Sequence, residues 1–363
     1  MQTSQKAFGQ NHGSKAIITV RVPWGLEVTS SITAIVVSYN SAEVLPGCIE
    51  ALREGLAPDQ VLVVDNASSD KSVAVAHDLG ADVIANRVNV GFGAGCNIGA
   101  QEANCELLLF VNPDVRIESV DSTKLSELTS LRPFGLLAPR ALLTTDSEHE
   151  DPSRRRILPW PCDIVREALG PVLPHEISDR LFALLARPGK QSWLSGALLF
   201  AARHEFLGIG GFDERLFLYY EDQELSRRYA RQGIPLTTTD AIAARHVRGG
   251  SSNAIGTLRP VPRAASAISS IELAGIMHGT RAARCAWWLY RALSRLAATL
   301  VCLASRGPLA TRGLRKRDEL RGTAYAAVRL LEEPSPHYPL VKMLARRSRW
   351  VARARARRGD RGA

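Results

Sequence analysis

Residues 107–115 read LLLFVNPDV. An apolar run of strand-forming residues enters a turn, Asn112-Pro113-Asp114, that delivers a carboxylate. A run of that length and composition reads as a fully buried strand. Similar runs surround it: ITAIVVSY (32–39), QVLVVD (60–65), ADVIAN (81–86) and ELLLFV (106–111). Helical patterns near 42–54, 70–79 and 94–104 separate them, the second opened by Ser68-Ser69-Asp70 as an N-cap cluster. The alternation predicts βαβ units on a mostly parallel sheet with helices on both faces. Ligands of such open sheets bind outside the carboxyl ends of the strands. Three runs end there on polar turns, Ser38-Tyr39-Asn40, Asp65-Asn66-Ala67 and Asn112-Pro113-Asp114, which should therefore converge on one crevice.

Further strands are expected at GLLAPRALL (135–143), at WLSGALLFAA (193–202) and near 236–245, with a charged helix near 221–232. The stretch from Thr144 to Lys190 is polar and broken by prolines. It contains Arg154-Arg155-Arg156 and an amphipathic segment, ISDRLFALLAR (177–187), and an insertion of that length is more often functional than filler.

With 363 residues, 45% of them hydrophobic, the chain can bury the core of one large domain and a smaller addition, so disorder is not the expectation. The formal net charge of +10 points to an anionic partner. It is concentrated at one end, since residues 311–363 hold thirteen Arg and two Lys against two Asp and three Glu. No reading module accompanies that basic tail, so nucleic acid is not an expected partner. Six cysteines without CxxC or zinc spacing read as thiols of a reducing compartment. The first thirty residues lack the pattern of a signal peptide, and no uncharged apolar stretch reaches the ~18 residues of a spanning helix. A cytoplasmic protein, held peripherally to the inner face of the membrane, is the expectation. RAARCAWWLYRALSRLAATLVCLASR (281–306) bears on this point. At helical spacing Arg281, Arg284, Arg291, Arg295 and Arg306 share a stripe of roughly 80°, while Leu289, Leu293, Leu296, Leu300 and Leu303 lie on another arc. That pattern suits a helix lying in a membrane interface, and equally one packed on the domain with a solvated arginine edge.

The candidate chemistry gathers at the strand ends. Asp65 can accept hydrogen bonds from a base imide or a ribose, or it can cap the following helix. NVGFGAGCN (89–97) is a glycine-rich loop entering a helix, where free amides and the helix dipole favour phosphate. Asp114 over such a loop is suited to hold a divalent cation, Mg²⁺ or Mn²⁺, against a diphosphate. Pro113 stiffens the turn, and Asn112 offers a neutral oxygen. Downstream, Phe217, Tyr219 and Tyr220 could wall a pocket that raises the pKa of the Glu221-Asp222 pair, while Glu224 is expected to pair with Arg227 or Arg228 along the helix.

The ordered set VVSYN, VVDNASSD, NVGFGAGCN, LLFVNPDV, LSGALLFAAR, GGFDERLFLYYEDQELSRR and RHVRGGSS covers roughly residues 31–253. It resembles the inverting glycosyltransferase family 2, and within it the bacterial rhamnosyltransferase-like branch. The resemblance implies an α/β GT-A fold, with a nucleotide-sugar half at about 31–143 and an acceptor half at about 144–253. Residues 1–30 would be an N-terminal extension, 254–340 a helical, membrane-surface region and 341–363 a flexible basic tail. It implies Asp222 as general base beside Glu221. The nucleotide-sugar would meet Ser38, Asn40, Asp65, Asn66, Gly91, Gly93, Asn97, Asn112 and Arg248. Asp114 and His246 would hold the metal. Acceptor contacts would come from Arg154, Arg155, Trp193 and Tyr220, the arginines suiting a lipid diphosphate. Asn112 departs from the Asp-x-Asp usual in the wider family. The branch implies transfer of L-rhamnose from dTDP to a polyprenyl-diphosphate-linked glycan, with a galactofuranosyl or hexosyl donor as the alternative. A dinucleotide-binding oxidoreductase fits less well, because the glycine loop follows the third strand and not the first.

Overall fold

The computed structural model describes residues 19–21, 27–29, 31–144, 150–170, 192–246 and 260–304, with isolated positions at 173, 177, 180–182, 184, 323, 337–339 and 341–342. Strands β1 (Thr19–Arg21) and β2 (Glu27–Thr29) form an antiparallel pair. The chain then runs β3 (Ile32–Ser38), α1 (Leu45–Gly55), β4 (Gln60–Asp65), α2 (Ser72–Asp78), β5 (Asp82–Ala85), α3 (Phe92–Glu102) and β6 (Leu107–Val111). These four strands are parallel in the order β5-β4-β3-β6, and each lies where its apolar run predicts. Helix α3 starts two residues early because Gly91, at φ 85°, turns the chain directly into Phe92.

Beyond β6 the order is β7 (Val115–Val120), α4 (Ser122–Thr129), β8 (Leu136–Pro139), β9 (Ala141–Thr144), β10 (Glu150–Pro152), β11 (Arg154–Arg156) and α5 (Cys162–Leu169). It continues with β12 (Ser192–Leu194), β13 (Leu198–Ala202), α6 (Arg203–Gly208), α7 (Glu221–Arg231), β14 (Leu236–Thr239) and β15 (Ile242–His246). Three single strands expected from sequence are therefore each two. The breaks fall at Arg140, at Ser195–Ala197 and around Asp240, where the backbone leaves one sheet for another. β13 enters the main sheet antiparallel to both β6 and β8, and β14 closes it parallel to β8, giving seven strands in the order β14-β8-β13-β6-β3-β4-β5. A second sheet, β10-β9-β15-β7, packs beside it, and β11 and β12, on either side of α5 in the chain, form an antiparallel pair.

The main sheet is covered on both faces, as its continuous apolar strands require. One side buries Val36, Val63 and Leu109 under Leu45, Ile49 and Leu52 of α1 and Ala76 of α2. The other buries Ile35, Leu108 and Phe110 under Cys96 and Ala100 of α3, Phe206 of α6, and Leu225 and Tyr229 of α7. Phe110, Phe206 and Phe212 meet there as a ring cluster with centroids 4.9–5.4 Å apart.

Two long helices follow, α8 (Pro260–His278) and α9 (Thr280–Ala304). They pack on each other and on α5 through Ile164, Ala265, Ile268, Ala283, Ala286 and Trp287. Helix α9 combines the two sequence readings. Its inner face is built largely of alanine, which lets the helices approach closely, so the leucine arc is not the main contact and Leu296 stays 52% exposed. Its outer face shows Arg281, Arg284, Trp288 and Arg295 to solvent, and the helix contains no acidic residue. Arg291 instead lies over the rings of Trp287 and Trp288, at 5.7 and 4.9 Å. Among the described residues no helix is long and apolar enough to cross a membrane. Arg306 and, of residues 341–363, all but Val341 and Lys342 lie outside the described residues.

Replacing Phe110 by Ala opens a cavity under three helices, and urea unfolding should report a loss of about 3–5 kcal/mol.

Candidate active site

The ends of β3, β4 and β6 and the start of α7 meet in one crevice, built from side-chain to backbone ties. Asn40, in the left-handed region at φ 50°, accepts from the Ser69 amide at 2.7 Å. Asn66 donates to the Gly91 carbonyl at 3.0 Å and accepts from Asn86 Nδ2 at 2.9 Å. Asp65 is buried, with one oxygen accepting from the Ser68 amide at 2.8 Å and the other from the Ser68 hydroxyl at 2.6 Å. It forms the capping turn that the sequence left open as an alternative, and its carboxylate serves the loop leading to α2. The N-cap of α2 is Lys71 and not the expected Ser68-Ser69-Asp70 cluster; Asp70 just before it accepts from the Ser72 amide at 3.0 Å and reaches across to the Ala42 amide at 3.0 Å.

The glycine-rich loop is held against the later part of the chain. Phe92 N–H donates to the Phe217 carbonyl at 3.0 Å, and a Cβ on Gly91 would fall 2.3 Å from that same oxygen. A Cβ on Gly93 would fall 2.9 Å from Phe212 Cβ, so both glycines serve close approach. Asn97 does not face the crevice. Its amide donates to the Phe212 carbonyl at 2.9 Å and Glu214 Oε1 at 3.0 Å and accepts from the Phe212 N–H at 2.8 Å. Glu224 and Arg228 form a two-pronged ion pair, and Arg228 also donates to the carbonyls of Ile209 and Gly211. Glu224 is thus part of the scaffold, as its helical spacing predicts.

Asp114, 4% exposed, sits past the end of β6 with its Oδ1 3.1 Å from Nε2 of His246 at the end of β15. The two are 132 residues apart, and the β7–β15 pairing of Val115 with His246 brings them together. Two donors on one octahedral ion at about 2.1 Å stand about 3.0 Å apart, so this oxygen and nitrogen fit a shared divalent cation. Among the described residues no third His, Cys, Asp or Glu joins them. Asn112 supplies backbone bonds: its N–H donates to the Ala197 carbonyl at 2.9 Å and its own carbonyl accepts from Val115 N–H at 3.1 Å.

Asp222 opens α7 on the same crevice. Its Oδ2 accepts from the Gly196 amide at 3.1 Å and its Oδ1 from the Gln223 amide at 2.8 Å. Burial raises it to about 6, with those amides and the charge of Arg155 pulling the other way. Glu221 is driven well above the usual carboxylate range by burial and then by the Asp222 charge, and its Oε2 is buried with no hydrogen-bond partner. Burial thus disfavours the charged form of both carboxylates, and more strongly that of Glu221.

The arginine run lies in β11, where side chains alternate. Arg155 faces its cross-strand neighbour Trp193, with the guanidinium 5.7 Å from the ring centroid, and pairs with Asp151. Arg154 points to the other face and bonds the Leu236 carbonyl, away from Asp222. Tyr220 also differs from its expected place on the acceptor wall. It is buried with Leu216 and Leu273, its hydroxyl donating to Glu167 at 2.8 Å and accepting from Arg166 at 3.2 Å. Ser38 ends β3 with a buried hydroxyl that lacks a partner. Arg248 lies outside the described residues. Sequence reasoning missed Gly196, whose only signal was a Ser-Gly interrupting an apolar run.

Asp114 with His246 and Asp222 with Glu221 thus gather at the carboxyl end of the main sheet, tied together through the Ser195–Ala197 link. The glycosyl transferase family 2 model matches residues 33–157, and with the curated relatives described next it makes the chain a glycosyltransferase. Its mixed α/β architecture is the expected GT-A fold. The N-acetylglucosaminyl-diphospho-decaprenol L-rhamnosyltransferase of Mycobacterium tuberculosis is 26% identical over 224 residues, 57% of this chain and 72% of its own length. The low-salt glycan biosynthesis hexosyltransferase Agl10 of Haloferax volcanii is 26% identical over 225 residues, 59% of this chain and 66% of its own. Among solved structures, the mannosyltransferase PcManGT of Pyrobaculum calidifontis aligns with a TM-score of 0.46 at 15% identity, covering 82% of this chain and 87% of that one.

Asn97→Ala should strip partners from the buried Phe212 amide and lower stability by about 1–3 kcal/mol in thermal or urea unfolding. A residue that only contacts the donor would leave the unfolding curve in place.

Proposed function

We propose that this glycosyltransferase moves L-rhamnose from dTDP-rhamnose to a hydroxyl of a polyprenyl-diphosphate-linked glycan, with inversion, in cell-wall or surface-polysaccharide synthesis. The observation that carries the reading is the facing of two acidic centres across one crevice. Asp114 with His246 ends β6 and β15, and Asp222 with Glu221 opens α7. The name of the mycobacterial relative supports the donor and the acceptor class.

In this reading Asp222 takes the proton from the acceptor hydroxyl as that oxygen attacks the anomeric carbon from the face opposite the leaving group. Its Gly196 and Gln223 amide bonds fix the carboxylate, and burial disfavours charge on the neighbouring Glu221. The glycine-rich loop, with Gly91 and Gly93, borders the donor, its Gly91 and Phe92 amides being held by Asn89 Oδ1 and the Phe217 carbonyl. Asp114 and His246 would hold a divalent cation, Mg²⁺ or Mn²⁺, which takes up charge on the departing nucleoside diphosphate. The unpartnered Ser38 hydroxyl, with Asn40, Asp65, Asn66 and Asn112, borders the nucleotide; Arg248 belongs to the same set by resemblance. Arg155 and Trp193 border the acceptor, the ring stacking on sugar and the guanidinium meeting phosphate.

The outer face of α9 supports a further part of the reading, that the enzyme rests on an anionic membrane surface where a lipid-linked acceptor is found. Arginines and an exposed tryptophan on one stripe, with no acidic residue, suit the headgroup layer.

Turnover of a panel of nucleotide sugars against a short-chain polyprenyl-diphosphate acceptor, read by product mass, should add a deoxyhexose; a hexose mass would replace the donor and keep the chemistry. Asp222→Asn should abolish transfer with donor binding retained, and kcat/KM of the native enzyme should fall as pH drops through about 6, where Asp222 gains its proton. Full transfer by Asp222→Asn overturns the assignment. Separately, the full chain should co-sediment with vesicles containing phosphatidylglycerol and less with pure phosphatidylcholine, and Arg281→Glu with Arg284→Glu should weaken that binding.

A further inference from the structure

Residues 214–218 precede α7, and their backbone carbonyls are taken by groups from distant parts of the chain. The Glu214 carbonyl meets Nδ1 of His337 at 2.7 Å, a link across 123 residues, and the Arg215 carbonyl accepts from the Tyr338 N–H at 2.9 Å. The Leu218 carbonyl accepts from the Ser269 hydroxyl of α8 at 2.7 Å, and the Phe217 carbonyl from the Phe92 N–H of the glycine-rich loop at 3.0 Å. A carbonyl can only accept, so the His337 proton sits on Nδ1. Ser269 likewise gives its one proton to Leu218, which makes the Tyr338 hydroxyl, 3.1 Å away, the donor to Ser269. Tyr338 and Val341 are buried in the core shared by α5, α8 and α9, and the Val341 N–H donates to Glu272 of α8 at 3.0 Å.

The contact extends to the loop itself. The His337 ring stands edge-on to Phe217 with centroids 5.1 Å apart, and a Cβ on Gly91 would fall 2.9 Å from the Phe217 ring. His337 therefore reaches the glycine-rich loop through a single intermediate. The turn also needs outside support, because Tyr219 and Tyr220, at φ 67° and 71°, both hold the left-handed conformation that side chains disfavour. Its two ends have separate anchors. Arg166 and Glu167 of α5 hold Tyr220, beside the base, and Asp222 is fixed by the Gly196 and Gln223 amides. His337, Tyr338 and Ser269 hold the other end, beside the loop.

We infer that His337 and the Tyr338–Ser269 pair are positioning residues for the nucleotide-sugar side of the site, acting through residues 214–218 on the glycine-rich loop. This rests on the reading above that the loop borders the nucleotide sugar. A segment beyond α9 thus serves the donor end of the reaction, while the base keeps its own supports.

The test uses the full chain and the nucleotide sugar that it turns over, each variant being checked as folded by circular dichroism at the assay temperature. His337→Ala should raise the KM for the nucleotide sugar roughly 3- to 10-fold, the range for one lost hydrogen bond, and leave the acceptor KM, kcat and its pH profile within about twofold. His337→Asn keeps an N–H donor in place of Nδ1 and should recover most of that loss. Ser269→Ala removes a bond to the same turn from the α8 side and should act like His337→Ala. Val341→Ala removes packing from the same segment but none of these hydrogen bonds, and should lower Tm with the nucleotide-sugar KM unchanged. An unchanged KM in both His337→Ala and Ser269→Ala overturns the inference, and so does an equal rise in Val341→Ala, which would mark the segment as packing alone. If the native chain turns over no nucleotide sugar, the functional reading falls and this inference with it; if the native chain is active and both variants equal it, only the inference falls.

Discussion

Leu198 pairs with Val111 at the end of an antiparallel ladder that runs to Ala202 and Leu107, and this register governs everything at the crevice. It forces the chain between β12 and β13 to turn over the carboxyl end of β6. There the Ala197 carbonyl takes the Asn112 amide and the Gly196 amide is donated to Asp222. One three-residue link thus fastens both the strand that carries Asp114 and the helix that carries Asp222. A single-residue slip would turn every side chain of β13 to the wrong face, and the buried apolar residues on both faces forbid it. The spacing between the two acidic centres is therefore set by core packing.

The polar groups of the crevice fall into two kinds. Asp65, Asn66, Asn97 and Glu224 are deeply buried and have their capacity taken up by amides, carbonyls or Arg228, because a buried polar group left bare costs more than most folds tolerate. They build the walls. Ser38 and Glu221 are buried too, yet each keeps an oxygen without a partner. Such groups are tolerated where a ligand or a proton is to be received. The same logic separates the tyrosines, Tyr220 consumed by Arg166 and Glu167 and Tyr219 left exposed.

The helical layer of α5, α8 and α9 takes part in the site as well as extending the chain. Helix α8 holds the Leu218 carbonyl, α5 holds Tyr220, and their shared core with α9 includes Trp287 and Ile164. The turn before α7 is thus braced by residues far along the chain. Helix α9 is free to offer its arginine and tryptophan face outward because its inner contact is made by alanines.

The parallel strands, their order of appearance and the polar turns at their carboxyl ends were legible in the sequence, which also singled out the acids at 114, 221 and 222 that the fold brings to that end. Apolar runs of strand length and polar strand ends are local signals, and burial on both faces makes them strong. The ion pair of Glu224 was legible for the same reason, since helical spacing is local. What only the tertiary structure decided depends on pairing between distant segments. The antiparallel insertion of β13 and the splitting of three apparent strands leave no periodic trace, and the meeting of Asp114 with His246 across 132 residues was expected through the family resemblance alone. Nor could the sequence tell a ligand-facing Asn, Asp or Tyr from a load-sharing one. Asn97, Asp65 and Tyr220 have the same chemistry in either role, and which partner saturates it is fixed by what the folded chain brings within about 3 Å.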